Sequence, residues 1–312
     1  MKENIAIVSF LESFEFPLRE ATRKQVWWHA LALKSKDANV TIYIVGKKKE
    51  DKIADGINIR FIHLIDIVHI EADRLFCITG SVQLSFPIFL FKKVCRRNSS
   101  ITLTDGDMLG NTKRNLRKLI AQLIPFMFGT VSVFSEYQKN RLKLSVTKIT
   151  KPYLPEVDTV MGGKSLNPSV LYMGHISAIK GFDIIIPAID RLLEEDKNIT
   201  FTIANNMIHI EDKYQKAVKE LKEKHPNQIV IKGIVNPIEE LSKHWVYIYP
   251  FIKAYGTMSF PLSLYESLKC GTPFIACNVS ANAEFFDTKY LIEPSAEQLY
   301  NRIKYFINER DN

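Results

Sequence analysis

Apolar residues in this chain gather into short β-branched and aromatic runs, separated by stretches of helical length and period. The runs over 5–10, 40–45, 57–64, 75–79, 101–104 and 130–134 predict strands. Helical patterns over 25–33, 114–124 and 136–144 lie among them. Turn formers without periodicity then fill 152–168, which predicts a linker. The rhythm restarts with strands over 170–173, 199–204, 229–231, 246–249 and 273–276. Helices are expected over 182–195, 212–224, 262–268 and 296–307. Strands separated by helix-length segments imply parallel sheets with helices on their faces. The expectation is an α/β protein of two Rossmann-like domains, 1–164 and 165–312, facing across a cleft. Ligands of such folds bind beyond the carboxyl ends of the strands.

Composition narrows the class. Of 312 residues, 46% are apolar and 24% charged, which is globular usage and excludes a disordered chain. Charge placement adds more. Residues 1–150 carry 24 basic and 14 acidic groups, a balance of +10, whereas 151–312 carry 18 and 20, a balance of −2. The whole basic excess sits in the first half, so that half is expected to face an anionic partner.

Cys77, Cys95, Cys270 and Cys277 form no C-x-x-C pair, and no His stands at zinc-ligand spacing. They read as reduced, mostly buried thiols of a cytoplasmic protein. No signal-peptide apolar region precedes the first strand, and the nearest approach to a membrane span, 119–134, is broken by Gln122, Pro125 and Gly129. Gly163-Lys164-Ser165 imitates the tail of a phosphate loop, but Asp158 stands where that motif's first glycine belongs. Asp105-Gly106-Asp107 follows a strand and reads either as an Asp-Gly turn or as a pair of metal-binding carboxylates.

Between 114 and 128 the apolar residues Leu116, Leu119, Ile120, Leu123, Ile124, Met127 and Phe128 recur at helical spacing. Lys113, Arg114, Arg117 and Lys118 crowd the start of that helix, where the macrodipole disfavours cations. Lys92, Lys93, Arg96 and Arg97 form a second cluster after an aromatic run. Three readings stand: a core-facing helix with a solvated rim, attachment to an anionic membrane surface, and nucleic-acid binding. The last is the weakest, because the aromatics that single-strand binders interleave are absent.

The chemistry concentrates in the second half. Residues 170–183 read as a strand, a loop with Gly174, His175, Lys180 and Gly181, and a helix start. A lysine at such a mouth, beside free N–H groups and a positive helix end, suits a phosphate. Farther on, 257–266 reads as a helix start with Ser259 as its cap, Pro261 in its first turn and Glu266 inside. A carboxylate there can accept two hydrogen bonds from sugar hydroxyls.

These residues resemble the glycosyltransferase family 4 group, the glycosyl transferases group 1, which have the GT-B fold. Gly174-His175-Ile176 through Lys180-Gly181 is similar to that family's G-R-L-x-x-x-K-G element. Phe260 through Glu266, with Gly271 and Pro273, is similar to the later half of E-x-F-G-x-x-x-x-E-A-x-A-x-G-x-P. The resemblance covers about 165–307 and is weaker before it. The chain departs from the pattern in several places: His175 stands for the family arginine, Met258 for the first glutamate, the Gly-rich loop usual after the first strand is absent from 9–21, and Thr104-Asp105 stands where the family often has a histidine.

The resemblance implies transfer of a sugar from a UDP- or GDP-sugar, with no metal and no separate cofactor required. Lys180 would neutralise the leaving diphosphate and Glu266 would hold the donor ribose. Gly174, His175, Gly233, Ile234, Met258, Ser259, Phe260 and Leu262 would complete the donor site. The implied outcome is retention, with a glycan or lipid-linked acceptor met at the cytoplasmic membrane face and no nucleic acid partner. Met258 and His175 motivate a second reading, a catalytically impaired subunit that binds a partner transferase. A third is a metal-dependent enzyme built on Asp105 and Asp107.

Overall fold

A computed structural model describes residues 2–11, 14–16, 21–47, 49–80, 99–105, 114–142, 147–154, 163–205, 210–254 and 257–311, leaving aside the side chains of 114–118, 120, 121, 147, 310 and 311. The chain divides into two compact units. One is Met1–Pro155 with Ala254–Phe260, and the other is Glu156–Lys253 with Pro261–Asn312.

In the first unit, β1 (Asn4–Ser9), β2 (Asn39–Val45), β3 (Lys52–Ala54), β4 (Ile57–Ile62), β5 (Arg74–Thr79), β6 (Ser99–Leu103), β7 (Thr130–Val133) and β8 (Thr147–Ile149) form one sheet. Their order is β3-β4-β2-β1-β5-β6-β7-β8. All pairs are parallel except β3 on β4, where Asp55 and Gly56, both at positive φ, make the tight turn. Three-residue strands such as β3 and β8 carry too little pattern to be expected from sequence.

The helices of this unit are α1 (Ala21–Lys34), α2 (Arg114–Met127) and α3 (Glu136–Leu142). Strand side chains alternate between faces, and β1 shows the consequence. Ile5 and Ile7 meet Val26, Ala30 and Leu33 of α1, while Ala6 and Val8 join Ile124 and Phe128 on the other face. Helix α2 thus uses Ile124 for the core and leaves Leu119 and Phe126 exposed.

The second unit holds β9 (Ser169–Met173), β10 (Thr200–Ala204), β11 (Ile229–Lys232), β12 (Val246–Ile248), β13 (Phe274–Cys277) and β14 (Leu291–Ile292). Their order is β11-β10-β9-β12-β13-β14, parallel throughout. With β10 on one side of it and β12 on the other, β9 is the point where the connections reverse direction, and its carboxyl end is the topological switch point. Helices α4 (Phe182–Glu195), α5 (Asp212–Lys224), α6 (Pro237–Lys243), α7 (Leu262–Lys269), α8 (Asn282–Phe285) and α9 (Ala296–Asp311) complete it. Strands buried on both faces read as unbroken apolar runs, as Val170, Leu171 and Tyr172 do, all fully buried. Helix α9 lies on α4, where Arg191 pairs with Glu297 at 2.6 Å and its guanidinium sits 3.9 Å from the Tyr300 ring centre.

Cys77, Cys270 and Cys277 are free and buried, and burial pushes the Cys277 thiol up to about 12 and Cys77 higher still. Cys95 lies outside the described residues. No helix among them is long and apolar enough to cross a membrane.

Candidate active site

The switch point is where the first donor-type element emerges. After β9, Gly174 takes a φ of +144° and its carbonyl accepts from Asn205 Nδ2 at 2.5 Å. His175 follows in the open, with its carbonyl bonded by Tyr172 Oη at 2.6 Å. A 3-10 turn, Ala178–Lys180, then leads to Gly181, which is at φ +82° and precedes the first residue of α4. Only glycine accepts this step without strain, and a Cβ at 181 would also overlap the Pro250 carbonyl oxygen.

Lys180 is a buried cation, 8% exposed. Its Nζ donates to Tyr249 Oη at 3.0 Å, and the Ile252 N–H donates to the Ile179 carbonyl at 2.9 Å. The lysine loop is therefore seated on the segment that leaves β12. Charge buried this way is costly unless it is met by polar groups, and a strand-end mouth beside the N-terminus of α4 is a place where an anion meets such a cation.

A tyrosine group fills the floor. Tyr247 stacks on Tyr249 at 6.1 Å between ring centres and 15° between planes, and Tyr172 faces Tyr249 at 6.4 Å and 27°. Burial pushes the Tyr172 and Tyr247 hydroxyls well above the ordinary phenol range, so both remain protonated donors. Tyr247 Oη donates to Ser263 Oγ at 3.1 Å. Ser263 lies three residues before Glu266 on α7, one turn away on the same helix face. Glu266 itself is 3% exposed. Lys180, Tyr249, Tyr247 and Ser263 thus form a continuous run through the second unit, with Glu266 one helical turn beyond Ser263. Gly233 and Ile234 follow β11, where a Cβ on Gly233 would meet nothing within 4 Å and Ile234 is 59% exposed. Leu262 opens α7 and is buried.

Ser259 does not cap α7. That helix starts after Pro261, which stands at its N-cap without a side-chain hydrogen bond. The Ser259 hydroxyl instead lies 3.1 Å from Ser135 Oγ, and its N–H donates to the Thr104 carbonyl at 2.8 Å. Met258 forms an antiparallel bridge with Asp105. Met258, Ser259 and Phe260 therefore pack with the first unit, while Lys180, His175, Gly174, Gly233, Ile234, Leu262 and Glu266 belong to the second.

At this end of β6 the buried Gln138 organises the backbone. Its Nε2 donates to the carbonyls of Leu103 at 3.0 Å and Asp105 at 2.8 Å, and its Oε1 accepts from the Phe134 N–H at 2.7 Å. The Asp105 carbonyl and backbone are thus tied into the fold. Asp107 lies outside the described residues, among which no group of three metal-ligating side chains occurs. Lys92, Lys93, Arg96, Arg97 and Lys113 also lie outside them. Arg114, Arg117 and Lys118 are on α2, but their side chains lie outside the described residues.

Sequence reasoning missed Tyr247 and Tyr249. Their signal is an alternation of tyrosines ending at Pro250, which reads as an ordinary strand end until Lys180 is found against it. Asn205, buried and bonded to the Gly174 carbonyl, was likewise hidden at a strand end.

Comparison with known proteins agrees with this geometry. Residues 167–309 match the family model described as Glycosyl transferases group 1. No curated protein sequence matches the chain. Sucrose-phosphate synthase from Thermosynechococcus elongatus has a TM-score of 0.78 at 14% identity, over 99% of this chain and 91% of that one. Anabaena HepE in complex with UDP and glucose has a TM-score of 0.73 at 15% identity, over 98% and 90%. A glycosyltransferase from Rickettsia africae has a TM-score of 0.70 at 15% identity, over 98% and 88%. Residues 167–309 therefore match a glycosyl transferases group 1 domain, and the chain has the GT-B fold.

Proposed function

We propose that the strand-end group of the second unit binds a nucleotide sugar, a UDP-sugar before a GDP-sugar, and that the protein transfers the sugar with retention to a glycan or lipid-linked acceptor. The observation that carries this reading is Lys180, a buried cation fixed at the switch point beside the first turn of α4. HepE structures in complex with UDP and with UDP-glucose support the choice of uridine. In the reaction the bond from the anomeric carbon to the diphosphate oxygen breaks. The acceptor hydroxyl oxygen takes that carbon, and its proton leaves with the phosphate. Charge grows on the diphosphate as the bond breaks, and Lys180 meets it at a pre-set position without solvent reorganisation. Glu266 serves as acceptor for the ribose hydroxyls, and the backbone at Gly233 and Ile234 lies against the base.

Binding at the cytoplasmic face of a membrane belongs to the same proposal. It is supported by the +10 balance of residues 1–150 and by Leu119 and Phe126, exposed seven residues apart on one face of α2. Each basic residue near an anionic surface adds about 1 kcal/mol.

The test is nucleotide release by the purified protein from UDP- and GDP-sugars, with and without vesicles of extracted membrane lipid. Release that depends on a lipid or glycan acceptor is expected. Release from none of the donors contradicts the proposal. Turnover that appears only when a second transferase is added would favour the partner-subunit reading, which Met258, at the position of a family carboxylate, motivates.

A further inference from the structure

Tyr249 stands just past the end of β12 and accepts a hydrogen bond from Lys180 Nζ at 3.0 Å, with the ammonium 5.2 Å from its ring centre. An ammonium group only donates, so Tyr249 Oη is the acceptor and its own proton is directed elsewhere. The ring has little freedom. It stacks on Tyr247 and Tyr172, and Phe251 tilts against it at 5.5 Å between centres. Gly174 lies against the same group: a Cβ there would touch Tyr249 Cε2 at 3.4 Å and press on Tyr172 Oη at 3.3 Å. The residues that follow seat the lysine loop, Pro250 against Gly181 and Ile252 on Ile179. A phenol held this firmly beside a buried cation, at the carboxyl end of a parallel sheet, is a fixed donor next to a fixed charge.

We propose that Tyr249 is a further donor-site residue of this transferase, which orients Lys180 and donates its phenol hydrogen bond to an oxygen of the same diphosphate. The proposal rests on the nucleotide-sugar reading of the site. No bond to Tyr249 forms or breaks, and its proton stays on the phenol throughout. His175 is exposed and leaves the mouth without a second fixed cation from its own position, so the phenol supplies the second fixed contact to the leaving group.

The experiment compares the wild type, Tyr249→Phe, Lys180→Met and the double variant, reading UDP affinity by calorimetry, kcat and KM with the UDP-sugar, and the thermal midpoint. Phenylalanine keeps the stacked ring and removes only the hydroxyl. Tyr249→Phe is expected to lose about tenfold or more in both kcat/KM and UDP affinity, the scale of one hydrogen bond to a charged group. Its midpoint should not move, and the double variant should bind UDP more weakly than Lys180→Met alone, because the phenol's own contact to the diphosphate is lost as well. Wild-type affinity and turnover in Tyr249→Phe, beside an impaired Lys180→Met, overturn the role of Tyr249 and leave the donor site standing. So does a lowered midpoint with UDP affinity intact, which marks the hydroxyl as structural. Wild-type UDP affinity in Lys180→Met overturns the donor-site reading itself.

Discussion

Gly181 and Pro250 are in such close approach that any side chain at 181 would overlap the Pro250 carbonyl oxygen, and the Gly181 φ of +82° independently excludes one. The lysine loop is seated by this contact as much as by the hydrogen bond from Lys180 to Tyr249. Gly181→Ala should lower stability by about 2 kcal/mol or more, from left-handed strain and the displaced carbonyl together. It should also reduce turnover, because Lys180 moves with the loop. Urea denaturation and initial rates measure the two, and unchanged values in both would contradict this account of the loop.

The Gln138 side chain reaches three backbone groups from a fully buried position, those of Leu103, Asp105 and Phe134. Truncation to alanine would leave buried backbone groups without partners, at about 1–3 kcal/mol each. Gln138→Ala should cost about 3 kcal/mol in equilibrium unfolding of the first unit. A loss below about 1 kcal/mol would show that Gln138 is not what holds the end of β6.

Much of the fold was legible because parallel strands buried on both faces write continuous apolar runs, and those at β1, β2, β9 and β10 are unmistakable. β3, β8 and β14 were not, since two or three residues carry no period and are set by their neighbours in the sheet. Gly174, Lys180 and Gly181 were legible as a group because backbone geometry and charge both demand those residue types. Ser259 misled: it has the chemistry of a cap and the wrong partner, because the Ser135 hydroxyl and Thr104 carbonyl compete for it through tertiary contacts that local sequence does not encode. Tyr249 was invisible for a related reason. A tyrosine at a strand end is common, and only the fold brings Lys180 to it.

His29 gives the first unit a pH dependence. It is buried in α1, stacked on Tyr153 at 4.3 Å between ring centres, and burial, aided by Arg74 and Lys36, pushes its pKa down from 6.5 to about 4. Gln25 clamps the same tyrosine, donating to its carbonyl at 2.6 Å and accepting from its N–H at 2.9 Å. The unfolded chain takes up the His29 proton below about pH 6.5, whereas the folded chain resists it until about pH 4. Stability is therefore lost as the pH falls through that window, by up to about 3 kcal/mol. Trp27 and Trp28, on the same helix, report the unfolding by fluorescence. His29→Phe keeps an aromatic ring in the stack and should flatten the acid slope between pH 6.5 and 4. An equal slope in the variant would place the acid sensitivity elsewhere.

The central claim is that Lys180 meets the diphosphate of a nucleotide donor, and calorimetric titration with UDP and GDP, on the wild type and on Lys180→Ala, tests it most directly. One nucleotide, UDP by this account, should bind the wild type at a single site, and Lys180→Ala should weaken it by about tenfold to a hundredfold, the range for a lost charge-assisted contact. Failure of both nucleotides to bind the folded wild type, or equal affinity in Lys180→Ala, would contradict it.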